Sequence, residues 1–143
     1  MSAIVGLYST CGQPVDKSDL VKMLDSLAHR GSDGAGIWSE GPVGLGHRIQ
    51  WTTPESLNEQ QPLSNISKDL IITADARIDN REELMAALSL SRANSFSLAD
   101  SQLILAAYEK WGETWFAQVQ QRAGIANFTT NGQASHPAGT SEL

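Results

Sequence analysis

The stretch Leu70-Ile71-Ile72-Thr73-Ala74-Asp75-Ala76 decides the fold class. It opens with apolar residues at consecutive positions, so both faces of a strand there are expected to be buried, as in an interior layer. Downstream, Asn80 and Glu83 stand at capping-box spacing ahead of Leu84, Met85 and Leu88, which predicts a helix. Another is expected from about Asp100 to Trp111, with Leu103, Ile104, Ala107 and Trp111 on one side and Gly112 as its stop. Trp115–Gln121 reads as a helical continuation after that break. Upstream, residues 52–69 are polar and carry two prolines, which predicts a loop. Gly36–Ser39 and Val43–Arg48 read as short strands joined at Glu40-Gly41-Pro42. Ala3–Ser9 reads as a first strand, with a turn at Cys11-Gly12-Gln13-Pro14. Asp16 is placed to cap a helix carrying Leu20, Met23, Leu24 and Leu27, with Gly31 just past its end. The order strand, helix, strands, strand, helix, helix predicts an α/β or α+β layered domain.

The chain has 143 residues and 15.4 kDa, the size of one domain. Its formal net charge of -6 and pI near 4.9 argue against a nucleic-acid binder, which would present a basic face. No apolar run approaches the ~18 residues that span a bilayer, so no membrane role is expected. Cys11 is the one cysteine, which excludes an internal disulfide and fits a cytoplasmic protein. The isolated glycines lack the Lys-Ser/Thr of a phosphate-binding loop, and no acidic or Cys partner stands at ligand spacing from His29 or His47. Those histidines are read as structural and no metal is expected. Cys11 is read as a turn residue, and Trp38, Trp51, Trp111 and Trp115 as core or interface residues.

Six fragments in sequence then carry a resemblance. They are Ile4-Val5-Gly6-Leu7-Tyr8, Ala28-His29-Arg30-Gly31-Ser32-Asp33-Gly34, Val43-Gly44-Leu45-Gly46-His47-Arg48, Gln61-Pro62-Leu63, Ile78-Asp79-Asn80 and Asp100-Ser101-Gln102-Leu103-Ile104-Leu105. Together, over about residues 1–116, they resemble class II glutamine amidotransferase domains, N-terminal-nucleophile hydrolases such as the front domain of asparagine synthetases. The wording Ala76-Arg77-Ile78-Asp79-Asn80-Arg81 looks like relatives that cyclise lasso peptides or form β-lactams. The resemblance implies an αββα sandwich with antiparallel sheets, incomplete in this chain. It also implies a mechanism: a cysteine at position 2, activated by its own α-amine, attacks the glutamine side-chain amide and releases ammonia. An arginine on a strand grips the glutamine carboxylate, an Asn-Gly pair supplies oxyanion donors, and a later aspartate holds the amine.

This sequence departs from that pattern at most of those positions. The nucleophile position is Ser2. The substrate-gripping arginine aligns with Ile49, and Arg48 is not expected to replace it because adjacent strand residues point to opposite faces. The Asn-Gly pair aligns with Asp75-Ala76, and an ionised Asp75 would oppose the developing oxyanion. Asp100 alone keeps its family identity, although it also stands where a helix N-cap belongs. Ser2 has a simpler reading as a small second residue that permits methionine removal.

The Ser-Gly-Gly-x-Asp-Ser pyrophosphate loop of the synthetases has no match here, so ATP and Mg would belong to an absent synthetase domain and no cofactor is expected in this chain. Residues 123–143 contain one charged side chain, Glu142, and show no period past Phe128. The expected organisation is therefore a truncated amidotransferase-like domain over 1–122 and a divergent, poorly ordered tail over 123–143. Gly124-Ile125-Ala126-Asn127-Phe128 is at best a distant echo of a strand of the relatives. Uncovered sheet edges point to a partner, an ATP-dependent synthetase or cyclase domain or subunit, or to a homo-oligomer. Three functions follow as expectations: a degenerate domain without glutaminase activity, an amidohydrolase using Ser2, and a stand-alone binding module.

Overall fold

Burial along Val43–Ile49 is nearly continuous, with only Arg48 partly exposed, which marks a strand at the centre of a layered structure. The computed structural model describes residues 2–91, 97–118 and 121–129, the last stretch as backbone. In chain order they form β1 (Ala3–Tyr8), α1 (Lys17–Ser26), β2 (Gly34–Glu40), β3 (Val43–Ile49), β4 (Leu63–Ser64), β5 (Leu70–Ile78), α2 (Arg81–Ala87), α3 (Asp100–Trp111) and β6 (Gln121–Thr129). Turns of 3-10 helix lie at Ala28–Arg30, Pro54–Asn58 and Gly112–Gln118. The strands make two antiparallel sheets, in the orders β1-β3-β2 and β4-β5-β6.

Strand alternation sorts β3 into two functional faces. A Cβ added to Gly44 would sit 2.6 Å from Leu20 Cδ1, and one on Gly46 3.0 Å from Leu24 Cδ1. Those glycines make the recess in which α1 buries Leu20 and Leu24, each worth roughly 1.5–3 kcal/mol. The other face, Val43, Leu45, His47 and Ile49, is buried and turned toward the second sheet. There His47 Nδ1 meets Thr73 Oγ1 of β5 at 3.0 Å. On β5 the alternation sends Ile72, Ala74 and Ile78 into a core with Leu84, Met85, Leu103, Ile104 and Trp115. Thr73 and Asp75 therefore point back toward the first sheet. The result is four layers: α1, two sheets, then α2 and α3. The expected αββα arrangement with antiparallel sheets is present.

Local expectations met the structure unevenly. Asp16 caps α1 by accepting the Ser18 N–H at 2.8 Å, and Gly112 ends α3 at φ 58, where a glycine is favoured. Gly31 does not serve as a left-handed cap: its φ is -154. Its reason is close approach, since a Cβ there would lie 2.7 Å from the Arg48 carbonyl carbon. Asn80 precedes α2 but makes no capping box; its Nδ2 donates instead to the Gln118 carbonyl at 3.0 Å. The loop expected over 52–69 contains a 3-10 turn and the short β4. The continuation after Gly112 is 3-10 helix to Gln118. Trp115 is a core residue at 2 % exposure, whereas Trp51 is 47 % exposed and lies outside the core.

Strand β6 pairs with the full length of β5, from Leu70↔Thr129 to Ile78↔Gln121. It runs across the boundary expected between residues 122 and 123, so residues 123–129 belong to the second sheet. The rest of the expected tail, 130–143, lies outside the described residues.

Candidate active site

The lower half of β5, the residue ahead of β1 and the start of α3 converge on a cavity of about 320 Å³. Ser2, Asp75, Ala76 and Asp100 all line it, so the structure brings together four of the five site positions read from sequence. Ile49 is not among the lining residues; it is buried at the end of β3, paired with Gly34. Arg48 is turned away as its neighbour's alternate: Nε donates to the Leu24 carbonyl at 3.1 Å and Nη2 pairs with Asp25 at 2.9 Å, both on α1. The cavity therefore has no arginine from β3.

The back wall depends on Gln61, whose role was not legible beyond its place in a motif. The register Leu63↔Ile72 and Ser64↔Ile71 would place residue 61 opposite Ala74, but Pro62 has no N–H with which to continue the ladder. The buried Gln61 side-chain amide takes over that pairing. Its Oε1 accepts the Ala74 N–H at 2.6 Å and its Nε2 donates to the Ala74 carbonyl at 2.8 Å. Nε2 also donates to Glu59 Oε1 at 2.8 Å, and the buried Ser101 hydroxyl donates to the same oxygen at 2.5 Å. One polar network thus ties the 3-10 turn, β5 and α3 together behind the cavity. Gln61→Ala would leave both Ala74 backbone groups without partners and should cost about 2 kcal/mol. Urea denaturation measures this; a change below about 0.5 kcal/mol would show the network to be dispensable.

Asp100 is not the N-cap of α3. Ala99 holds that position, and the Gln102 side chain reaches back to the Ala99 N–H at 2.8 Å. Asp100 is the first helical residue, with its carboxylate directed into the cavity. Oδ2 accepts the Ile78 N–H at 3.2 Å, and Oδ1 pairs with Arg81 Nη1. Arg81 also donates to the Leu98 carbonyl. Burial raises the Asp100 pKa above the ordinary carboxylate value, against the lowering pull of the Ile78 N–H and Arg81. Arg81 was missed as a site residue, although it closes the motif Ala76–Arg81.

Asp75 sits opposite Ser2. Burial raises its pKa, countered in part by the positive charge of the chain's N-terminus, by Arg30 and by the Ser2 backbone N–H. The Ser2 Oγ accepts the Gln50 N–H at 3.1 Å. Four carboxylates (Glu55, Glu59, Asp75 and Asp100) share the cavity with Arg77 and Arg81. An ionised Asp75 here offers an acceptor where the resemblance implies a donor to an oxyanion. Among the described residues no group of three His, Cys, Asp or Glu could hold a metal ion, and no helix is long and apolar enough to cross a membrane.

A family model described as a glutamine amidotransferase domain matches residues 1–133. The chain belongs to this family. Curated relatives agree with that placement. It is 35% identical over 110 residues to the glutamine-hydrolyzing asparagine synthetase of Brassica oleracea, covering 76% of this chain and 18% of the relative. It is 34% identical over 98 residues to asparagine synthetase 2 of Oryza sativa subsp. japonica, covering 68% of this chain and 16% of the relative. The amidotransferase chain thus spans about a sixth of the length of those relatives. Glutamine phosphoribosylpyrophosphate amidotransferase from B. subtilis shares the fold, with a TM-score of 0.67 at 17% identity over 90% of this chain and 35% of that one. The chain is accordingly a class II glutamine amidotransferase domain related to the N-terminal region of asparagine synthetases.

Proposed function

We propose that this amidotransferase domain has lost glutamine hydrolysis and serves as a packing element for an ATP-dependent synthetase or cyclase domain. That domain would hold ATP and Mg, draw its nitrogen from a substrate amine, and work in the cytoplasm. The observation that carries the reading is the Asp75 carboxylate facing Ser2 within the cavity. Hydrolysis of an amide needs donors around the forming oxyanion, and losing one such donor costs about 10²–10³ in rate. A carboxylate there adds repulsion to that loss. Ile49 supplies no fork for an α-carboxylate, and a serine is a weaker nucleophile than the family's cysteine. The Ala76–Arg81 wording supports kinship with lasso-peptide cyclases and β-lactam synthetases, in which the front domain accompanies an amide-forming one.

The test is glutamate release from glutamine, measured on the wild type and on Ser2→Cys. Neither is expected to exceed the background, because restoring the thiol leaves Asp75 and Ile49 in place. Turnover in the wild type that Ser2→Ala abolishes would overturn the reading in favour of a Ser2 amidohydrolase. The polar cavity, with its Ser2 hydroxyl and Asp100 carboxylate, is the observation behind that second reading.

A further inference from the structure

We propose that Arg77 makes the cavity a binding site for a small organic monocarboxylate, gripped from the β5 wall rather than from β3. Glutamine hydrolysis is a separate matter, since a bound anion of this kind needs no reactive amide.

Thr73, Asp75 and Arg77 alternate along β5 onto the face turned toward the first sheet. Arg77 lines the cavity from an exposed position near the end of that strand. Among the described residues its side chain takes part in no hydrogen bond or ion pair. The β5–β6 register sets Arg122 directly opposite it. Like charges at directly opposite positions destabilise a sheet, and an oxyanion bound there turns that cost into attraction. A guanidinium presents a planar fork of N–H donors that matches the two oxygens of a carboxylate.

The other charges around the cavity already have partners. Arg81 pairs with Asp100, whose second oxygen accepts the Ile78 N–H at 3.2 Å. Glu59 Oε1 accepts Gln61 Nε2 and the Ser101 hydroxyl. Hydrogen bonding from its own backbone N–H and from Thr53 holds the Glu55 carboxyl below its ordinary pKa. Asp75, two residues before Arg77 on the same face, is the acid that opposes an anion, and the positive charges of the N-terminus and of Arg30 act on it. Arg77 is therefore the charged group left to meet a ligand, and it selects a negative one. The Ser2 hydroxyl, whose oxygen accepts the Gln50 N–H at 3.1 Å, still has its own proton to give. A phosphate dianion would meet twice the repulsion from the four carboxylates, which favours a singly charged carboxylate.

Isothermal titration of the full chain with sodium butyrate, at pH 7 and constant ionic strength, tests this, with butyramide and inorganic phosphate as comparison probes. Butyrate should bind saturably at one site, more tightly than either the neutral amide or phosphate. Arg77→Gln should weaken butyrate at least about tenfold, the loss of a charge-assisted hydrogen bond. That substitution lies at an exposed position and removes one of two opposed like charges, so the variant should melt no lower than the wild type. If Arg77→Gln does not fold, the comparison of butyrate with butyramide on the wild type still decides. The site is overturned by the absence of saturable butyrate binding, by equal binding of butyramide, by tighter binding of phosphate, or by a loss below about threefold in folded Arg77→Gln. Butyrate has no amide to hydrolyse, so none of these outcomes depends on glutamate release from glutamine.

Discussion

Gly36→Ala should destabilise the domain by at least about 3 kcal/mol, the top of the usual range for overpacking. A Cβ at position 36 would lie 1.9 Å from the Gln61 carbonyl oxygen and 3.3 Å from Pro62 Cδ. The obstacle is backbone, so no rotamer change removes it. One escape moves the Gln61–Pro62 segment and strains the pair of hydrogen bonds between Gln61 and Ala74. The other peels β2 from β3 around the Gly36↔His47 pair. For a domain of this size the loss corresponds to a fall in melting temperature on the order of 10 °C. Gly6→Ala is the control, because a Cβ there meets only Leu45 Cδ2 at an ordinary 3.8 Å. That variant should stay within about 1 kcal/mol of the wild type. Equal melting of Gly36→Ala and Gly6→Ala would show that the loop does not pack on β2 as described.

Gly36 also shows where sequence reading stops. Strand β5 was legible from its consecutive apolar residues, and helices α1 and α3 because their apolar residues follow the helix period. The recess under α1 was less so: Gly44 and Gly46 look like weak points in a strand until the positions of Leu20 and Leu24 are known. Gly31 and Gly36 likewise owe their identity to backbone from a distant part of the chain. No local pattern reports that. The second sheet was partly hidden as well, since β6 (Gln121–Thr129) has neither a clean alternation nor strong apolar content and is defined by its pairing with β5.

The site divides in the same way. Ser2, Asp75, Ala76 and Asp100 were identified through the order of family motifs, and the fold gathers them because β5 ends where α3 begins. Ile49 was placed in the site by alignment alone, and the structure buries it away from the cavity. Asp100 carried a cap reading because Asp is common at such positions, yet the neighbouring Ala99 is the cap. What displaces it is tertiary: Arg81 and the Ile78 N–H claim its carboxylate. Gln61 was unreadable in principle, because its side chain acts as backbone, completing a ladder that Pro62 interrupts.

Acidification should weaken the fold between about pH 6.5 and pH 4, and His47 is the expected cause. It is 1 % exposed in the middle of β3, and burial pushes its pKa down from 6.5 to about 4. Its ring links the two sheets through Thr73, which is 0 % exposed. The native imidazole is neutral over this range while the unfolded chain takes up a proton, so the unfolded state gains as the pH falls. The full loss is about 3 kcal/mol, with roughly 2 kcal/mol of it complete by pH 5. Below about pH 4 both states are protonated and the dependence ends. Asp75 and Asp100 act in the opposite sense: their native pKa values are raised, so protonation at the acid end of the range relieves a cost of burial. His47→Gln separates these contributions, since an amide can still bond Thr73 but cannot titrate. Urea denaturation from pH 7.5 to pH 5 should give a falling stability for the wild type and a nearly flat one for His47→Gln. Parallel slopes would mean that His47 titrates normally in the folded protein and that the space between the sheets is wet.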